Sequence, residues 1–496
     1  HPRRNFFKLL LAGLTSGFIY AKKPLNILNN DERDRFGGWK GKQFEASGFF
    51  RTEFDGKRWW LVTPEGNAFI TFGVNHYHAS WWAQDHNRDY WNKTFGAKKS
   101  YDANWNKGFR NAALNDLKRL GINTLGIHTD APMLTEPPGN ACFPYVAEYT
   151  PLKLSHYLNP PPESYMDVFS QDYADICEQT ARDMVAPYAN DPMILGFCMS
   201  DCPLFTDGEA KWYKGTTFPR QIRNLGSESP GKRIYVQLMS KHYQRITDFN
   251  RVYQTQFNSW EDLSKATHWR DNLFPESEDE RKDNAHFLEL CVDQYYKIAK
   301  LAFKRHNPNH LFLGDKLNGN SDGLDTVLKI TSRYTDLINF QYYDILENQA
   351  ISMQRWSEKI SIEQPLLNGD SAFTVPTETM PRPFGPHCSN QAERAQHTLD
   401  YMKQSLARKD FVGWHMCGII DTTKFMPGKQ DYQHQGLMTT HGKYYQAMEK
   451  SVQKISSQMY AYAQKQARYP NSLYTAQCKK NFPCSILDKC RRKTCF

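Results

Sequence analysis

From residue 68 onward, short uninterrupted apolar runs alternate with longer stretches whose apolar residues recur at helical spacing. The runs occupy 68–76, 121–128, 144–150, 193–199, 311–316, 336–343, 365–369 and 411–420. A brief apolar run bounded by polar or turn residues reads as a strand buried on both faces. The segment 108–120, with Ala112, Leu114, Leu117 and Leu120 near helical spacing, predicts a helix, as do 171–188 and 281–305. Eight such strands alternating with helices predict an α/β protein, a parallel (β/α)8 TIM barrel. A doubly wound open sheet is the structural rival, but no Gly-rich phosphate loop follows the first strand.

Two departures from the alternation stand out. Before the first strand, residues 48–66 hold two β-forming runs around Asp55-Gly56, followed by Pro64-Glu65-Gly66. This predicts an N-terminal β-hairpin acting as a lid over one end of the barrel. Residues 204–280 form a long insertion after strand four, with helical stretches around 231–253. The expected organisation is a leader at 1–21, an arm and hairpin at 22–66, the barrel with its insertion at 67–465, and a basic Cys-rich tail at 466–496.

Charge sharpens the two ends. The formal net charge is +9. Residues 1–25 and 477–496 each carry +5, so the body between them totals −1. A near-neutral body lacks the clustered basic face of a nucleic-acid groove. Arg3-Arg4-Asn-Phe-Phe-Lys8, then an apolar stretch ending at Ala21, fits an export signal of twin-arginine type. That implies a periplasmic or extracellular location, and no other segment could be a membrane span. Of the eleven cysteines, Cys198, Cys291 and Cys417 lie in apolar runs and read as buried free thiols. Cys478, Cys484, Cys490 and Cys495 crowd the tail and read as two local disulfides; their spacing lacks a zinc knuckle.

In a parallel barrel the chemistry gathers at the C-terminal strand ends. Those ends here carry Asn75, His76 and His78; His128 and Asp130; Asp201; Lys316; Tyr342 and Tyr343; Asp370; and Trp414 and His415. The mixture of donors, acceptors and flat side chains suits a carbohydrate, and Trp81-Trp82, in the loop after strand one, is a candidate sugar platform. Asp201 and Asp370 each close an apolar run, so they are the candidate acid/base or nucleophile pair, the other residues being candidate substrate contacts. There is no Gly-x-Ser-x-Gly elbow and no His-Glu-x-x-His motif, so neither a serine triad nor a metal is expected, and no cofactor is called for.

Several of these segments carry a likeness. Residues 48–51 and 59–66, followed by Phe72-Gly-Val-Asn75-His76, resemble the β-agarase-like glycoside hydrolases of the (β/α)8 clan A. So do 190–197, 229–250, 259–263, 364–367, Gly413-Trp414-His415 and Gly436-Leu437, over roughly residues 45–450. The resemblance implies an exported enzyme cleaving an agar- or galactan-like polysaccharide or oligosaccharide. In that clan, strand four ends in Asn-Glu and strand seven supplies a second Glu. Here Asp201-Cys202-Pro203 stands at the first place and Asp370 at the second. Asp370 falls in the nucleophile's register, and Asp201 sits one residue short of the acid. The loss of both glutamates keeps a second reading open, a non-catalytic carbohydrate-binding protein on a degenerate barrel.

Overall fold

The computed structural model describes residues 30–130, 143–152, 166–206, 217–270, 277–321, 323–378, 380–422 and 434–465. The expected export signal and the Cys-rich tail both lie outside the described residues.

The first four strands, β1 Trp39–Gln43, β2 Arg51–Phe54, β3 Trp59–Val62 and β4 Asn67–Phe69, form one antiparallel sheet in the order β1-β4-β3-β2. The predicted hairpin is β2–β3, closed by Asp55-Gly56 with Phe54 opposite Trp59. Gly56 has φ +86°, a conformation that favours glycine.

The barrel strands are β5 Thr71–Val74, β6 Thr124–Leu125, β7 Tyr145–Glu148, β8 Ile194–Asp201, β9 Phe312–Asn318, β10 Ile338–Gln341, β11 Leu366–Ser371 and β12 Phe411–Met416. They pair in parallel, in chain order, and β12 closes onto β5. Every one of the eight predicted runs contributes its strand. β9, β10, β11 and β12 are buried throughout because the barrel interior covers one face and helices cover the other.

The helices begin and end where local chemistry dictates. Asp102 caps Ala103–Leu120 by accepting from Trp105 N at 2.9 Å, and Gly121, at φ +69°, ends it. Ser277 caps the long helix Glu278–His306, which opens on Glu278, Asp279 and Glu280 and closes on Lys304, Arg305 and His306. Each charge cluster opposes the helix dipole at its own end. Between β8 and this helix, the insertion contributes Phe218–Arg223, Pro230–Tyr243, Ile246–Tyr253 and Trp260–Lys265.

The N-terminal sheet covers one end of the barrel. Arg58, in the β2–β3 turn, is 3% exposed and donates to the carbonyls of Leu406, Ala463 and Phe411 at 2.7–2.8 Å. Trp59 N bonds Lys409 O at 2.7 Å. These partners flank the start of β12, so the hairpin seals the N-terminal end and leaves the C-terminal end to the site.

Candidate active site

Strand register builds the centre of the site. Asp201, the last residue of β8, lies directly opposite Lys316 of β9. Gln341 of β10 lies opposite Asp370 of β11. The period-two alternation of β9 turns Lys316 inward and Asp315 outward. Asp315 therefore lies in the helix layer, bonded to Tyr296 Oη at 2.6 Å. The Lys316 ammonium donates to Asp370 Oδ2 at 2.6 Å and meets Asp201 Oδ1 at 2.9 Å. Those two oxygens can thus be no more than about 5.5 Å apart, the sum of the two contacts.

The surroundings of the two aspartates differ. Asp370 is 3% exposed, and its Oδ1 accepts from Tyr343 Oη at 2.8 Å. The Asp201 side chain is 27% exposed, and its Oδ2 lies 3.0 Å from His128 Nε2. Burial alone would push the Lys316 ammonium down, but Asp201 and Asp370 outweigh it and hold it well above its ordinary value. The centre is a buried cation clamped by two carboxylates, one deep and one reaching the opening.

Backbone strain collects at the same end. His76, His128 and Cys202, each just beyond a barrel strand, have φ of 56°, 58° and 43°. Non-glycine residues hold this region at a cost of order 1–3 kcal/mol each, and such residues cluster at functional sites.

The other expected contacts divide. His76 reaches the opening and stacks on His128 and Trp81, with ring centres 4.9 and 4.8 Å apart. His78 pairs with Asp130 at 3.1 Å, and Asp130 also accepts from Ala79 N, so this pair braces the loop after β5. Lys316, expected to meet substrate, is fully buried and spent on the two aspartates. Asn75 is also fully buried and donates to Gly369 O at 2.7 Å, tying β5 to β11.

Four aromatic or imidazole groups do not line an opening. Trp82 is fully buried, stacked on Tyr77 at 4.6 Å and edge-on to Phe109, so it anchors the loop from below. Trp414 points into the helix layer, with Nε1 donating to Ser371 Oγ and its ring edge-on to Tyr401 at 4.7 Å. The Tyr342 hydroxyl pairs with Ser352 in the following helix. His415 is buried in the barrel with Nε2 2.8 Å from Thr71 Oγ1, and burial pulls its imidazole down to about 3. Trp414 and His415 are neighbours in β12 and so face opposite sides, the helix layer and the barrel interior.

The residues that sequence reasoning did not single out for the opening are Phe384, Cys417 and His434. Of the expected Trp81-Trp82 platform, Trp81 lies against His76 and His434, and only Trp82 is buried. Phe384 packs near Tyr343 and His434, with ring centres 6.4 and 5.3 Å away. Both are partly exposed and form aromatic walls. Cys417 follows β12, and its Sγ lies 2.7 Å from His434 Nδ1. A run beyond the strand end was the available signal for Cys417; His434 lies in a loop with no pattern of its own. The six cysteines among the described residues, including Cys198, Cys291 and Cys417, are buried and free. Cys202, in the register of the clan's acid, is only 1% exposed.

No family model matches the chain. Among characterised proteins it is similar to β-agarase B of Vibrio sp. (strain JT0107), 23% identical over 462 residues, and to β-agarase A of the same strain, 21% identical over 429. These alignments take in 79% and 73% of the chain but 46% and 41% of the relatives, so it spans less than half their length. Among solved structures, an exo-β-agarase superposes with a TM-score of 0.72 at 18% identity, over 88% of this chain and 68% of that one. At that identity the likeness establishes the fold. The chain is β-agarase-like in sequence and architecture. Among the described residues, no helix is long and apolar enough to cross a membrane.

Proposed function

We propose that this barrel is an exported glycoside hydrolase acting on an agar-like galactan, with Asp370 as nucleophile and Asp201 as the group that exchanges a proton with the leaving oxygen. The observation that carries the reading is the pair of carboxylates at the barrel mouth, with facing oxygens within about 5.5 Å. A spacing of about 5–5.5 Å is the one used when a carboxylate attacks the sugar directly, whereas a wider gap leaves room for an activated water. Tyr343 and Lys316 hold Asp370 in place through one bond to each oxygen. Trp81 and Phe384 supply flat walls for sugar rings.

In the first step Asp370 attacks the anomeric carbon, the glycosidic bond breaks and the leaving oxygen takes a proton from Asp201. In the second step water attacks the same carbon, Asp201 recovers a proton and Asp370 is released. Asp201 must gain its proton before the first step, although the Lys316 ammonium lies 2.9 Å from its Oδ1. His128, one-third exposed and 3.0 Å away, is the route by which a solvent proton reaches it.

One observation favours the second reading, a carbohydrate binder without turnover. Lys316 forms an ion pair with each carboxylate, and buried Cys202 stands where the clan carries its acid. Reducing-end release from agarose and its oligosaccharides separates the two. We expect the parent protein to release reducing ends and Asp370→Asn to lose activity by about three orders of magnitude or more, with the fold intact by circular dichroism. An active Asp370→Asn variant overturns the assignment. A parent protein that binds agarose but releases nothing supports the binder.

A further inference from the structure

We propose that His76, Cys417 and His434 form a binding site for a borderline-soft divalent ion, zinc in the first instance, at the floor of the opening beside Asp370. The three residues come from separate places in the chain: the end of β5, the end of β12 and the loop carrying residue 434. Their candidate ligand atoms nevertheless all lie within 4.8 Å of one another. Two imidazoles and a thiolate are a donor set suited to zinc, and three protein ligands leave a fourth position open.

The geometry needs little adjustment. In a tetrahedral site with bonds near 2.0–2.3 Å, neighbouring ligand atoms sit roughly 3.3–3.7 Å apart. Cys417 Sγ and His434 Nδ1, at 2.7 Å, would part by about 1 Å, and no pair need close by more than about 1.5 Å.

Two further observations point to a ligand. No side-chain hydrogen bond engages His76 among the described residues, although its backbone is held in the left-handed region. Its ring is instead fixed by stacking between Trp81 and His128. As the sulfur–metal bond forms, the proton of the Cys417 thiol leaves to solvent. Once seated, the ion would place a divalent charge beside Asp370, within hydrogen-bonding reach of Cys417.

Cobalt(II) titration of the chelator-stripped full chain tests the site, because a thiolate–cobalt bond gives a near-ultraviolet charge-transfer band and four-coordination gives strong visible bands. The four tail cysteines could also bind cobalt, so the titration is repeated with Cys478, Cys484, Cys490 and Cys495 all changed to Ser. We expect this variant to bind one equivalent with both sets of bands and to release it to excess zinc. Adding Cys417→Ser should remove the charge-transfer band, and His434→Ala should weaken binding at least tenfold. Absence of the band in the tail-serine protein, or its survival in Cys417→Ser, overturns the proposal. These spectra need no turnover, so they stand apart from the hydrolase reading. If that reading holds, one equivalent of zinc should also suppress reducing-end release, and Cys417→Ser should relieve the suppression.

Discussion

Each end of the barrel buries a cation, and the two are held in opposite ways. At the N-terminal end, Arg58 donates to backbone carbonyls and lies over the Trp60 ring at 4.7 Å. Burial pulls its guanidinium down to about 10, with Asp410 and Asp55 offsetting part of the effect. At the C-terminal end, Lys316 is held by two full carboxylates. Carbonyl dipoles satisfy a planar, multi-donor guanidinium and leave nothing reactive behind. Two carboxylates share a single ammonium at the mouth. One end uses a buried charge to lock the sheet onto the barrel, and the other uses one to hold two acids near each other.

The largest effect expected from breaking this comparison is at the mouth. Lys316→Met leaves Asp201 and buried Asp370 facing each other without their shared cation. Removing one partner of a buried pair costs about 3–5 kcal/mol. Denaturant unfolding should show that loss, and the triple variant Asp201→Asn, Lys316→Met, Asp370→Asn should recover most of it. Failure of the triple variant to recover would mean that Lys316 stabilises by packing rather than by charge.

At the sealed end, Arg58→Met leaves three carbonyls without their donor. A buried acceptor left unsatisfied costs about 1–3 kcal/mol, and partial relaxation should keep the total near 3 kcal/mol. The two ends separate cleanly only if the folded fraction keeps full activity. A drop in kcat that tracks no loss of fold would show that the ends communicate.

The smallest effect concerns Asp315, Lys316's neighbour on the other face of β9. Burial pushes its carboxyl up to about 6, although Tyr296, Ser200 and Tyr295 donate to it. Its folded value lies above its unfolded value near 3.8. The native state therefore holds the proton more tightly, and this contribution to stability is full below about pH 4 and lost as pH rises through about 6. Two units correspond to at most about 3 kcal/mol. Asp315→Asn should flatten the stability curve between pH 4 and 6. An unchanged slope would show that Asp315 ionises freely in the native protein.

Much of this was legible in the chain. All eight barrel strands and the main helices follow from run length and spacing, because a strand covered on both faces must be apolar throughout. The Asp55-Gly56 hairpin was legible from its turn, but not the end of the barrel it covers, since that depends on Arg58 reaching carbonyls more than three hundred residues away. The strand-end list identified Asp201, Asp370, His128 and Tyr343, which do meet around Lys316. It also included Trp414, Tyr342 and His415, which face other layers, and of the Trp81-Trp82 pair in the loop after β5 only Trp81 reaches the opening.

What the sequence determined by itself was periodicity, and with it which segments become strands, which become helices and at which strand ends polar groups accumulate. Those are local properties, encoded within a few residues. What only the tertiary structure decided was facing and partnership: that Lys316 turns inward between two aspartates while Asp315 turns outward, and that Cys417 meets His434. A shift of one residue in register reverses every side chain of a strand, and closure of the barrel sets that register.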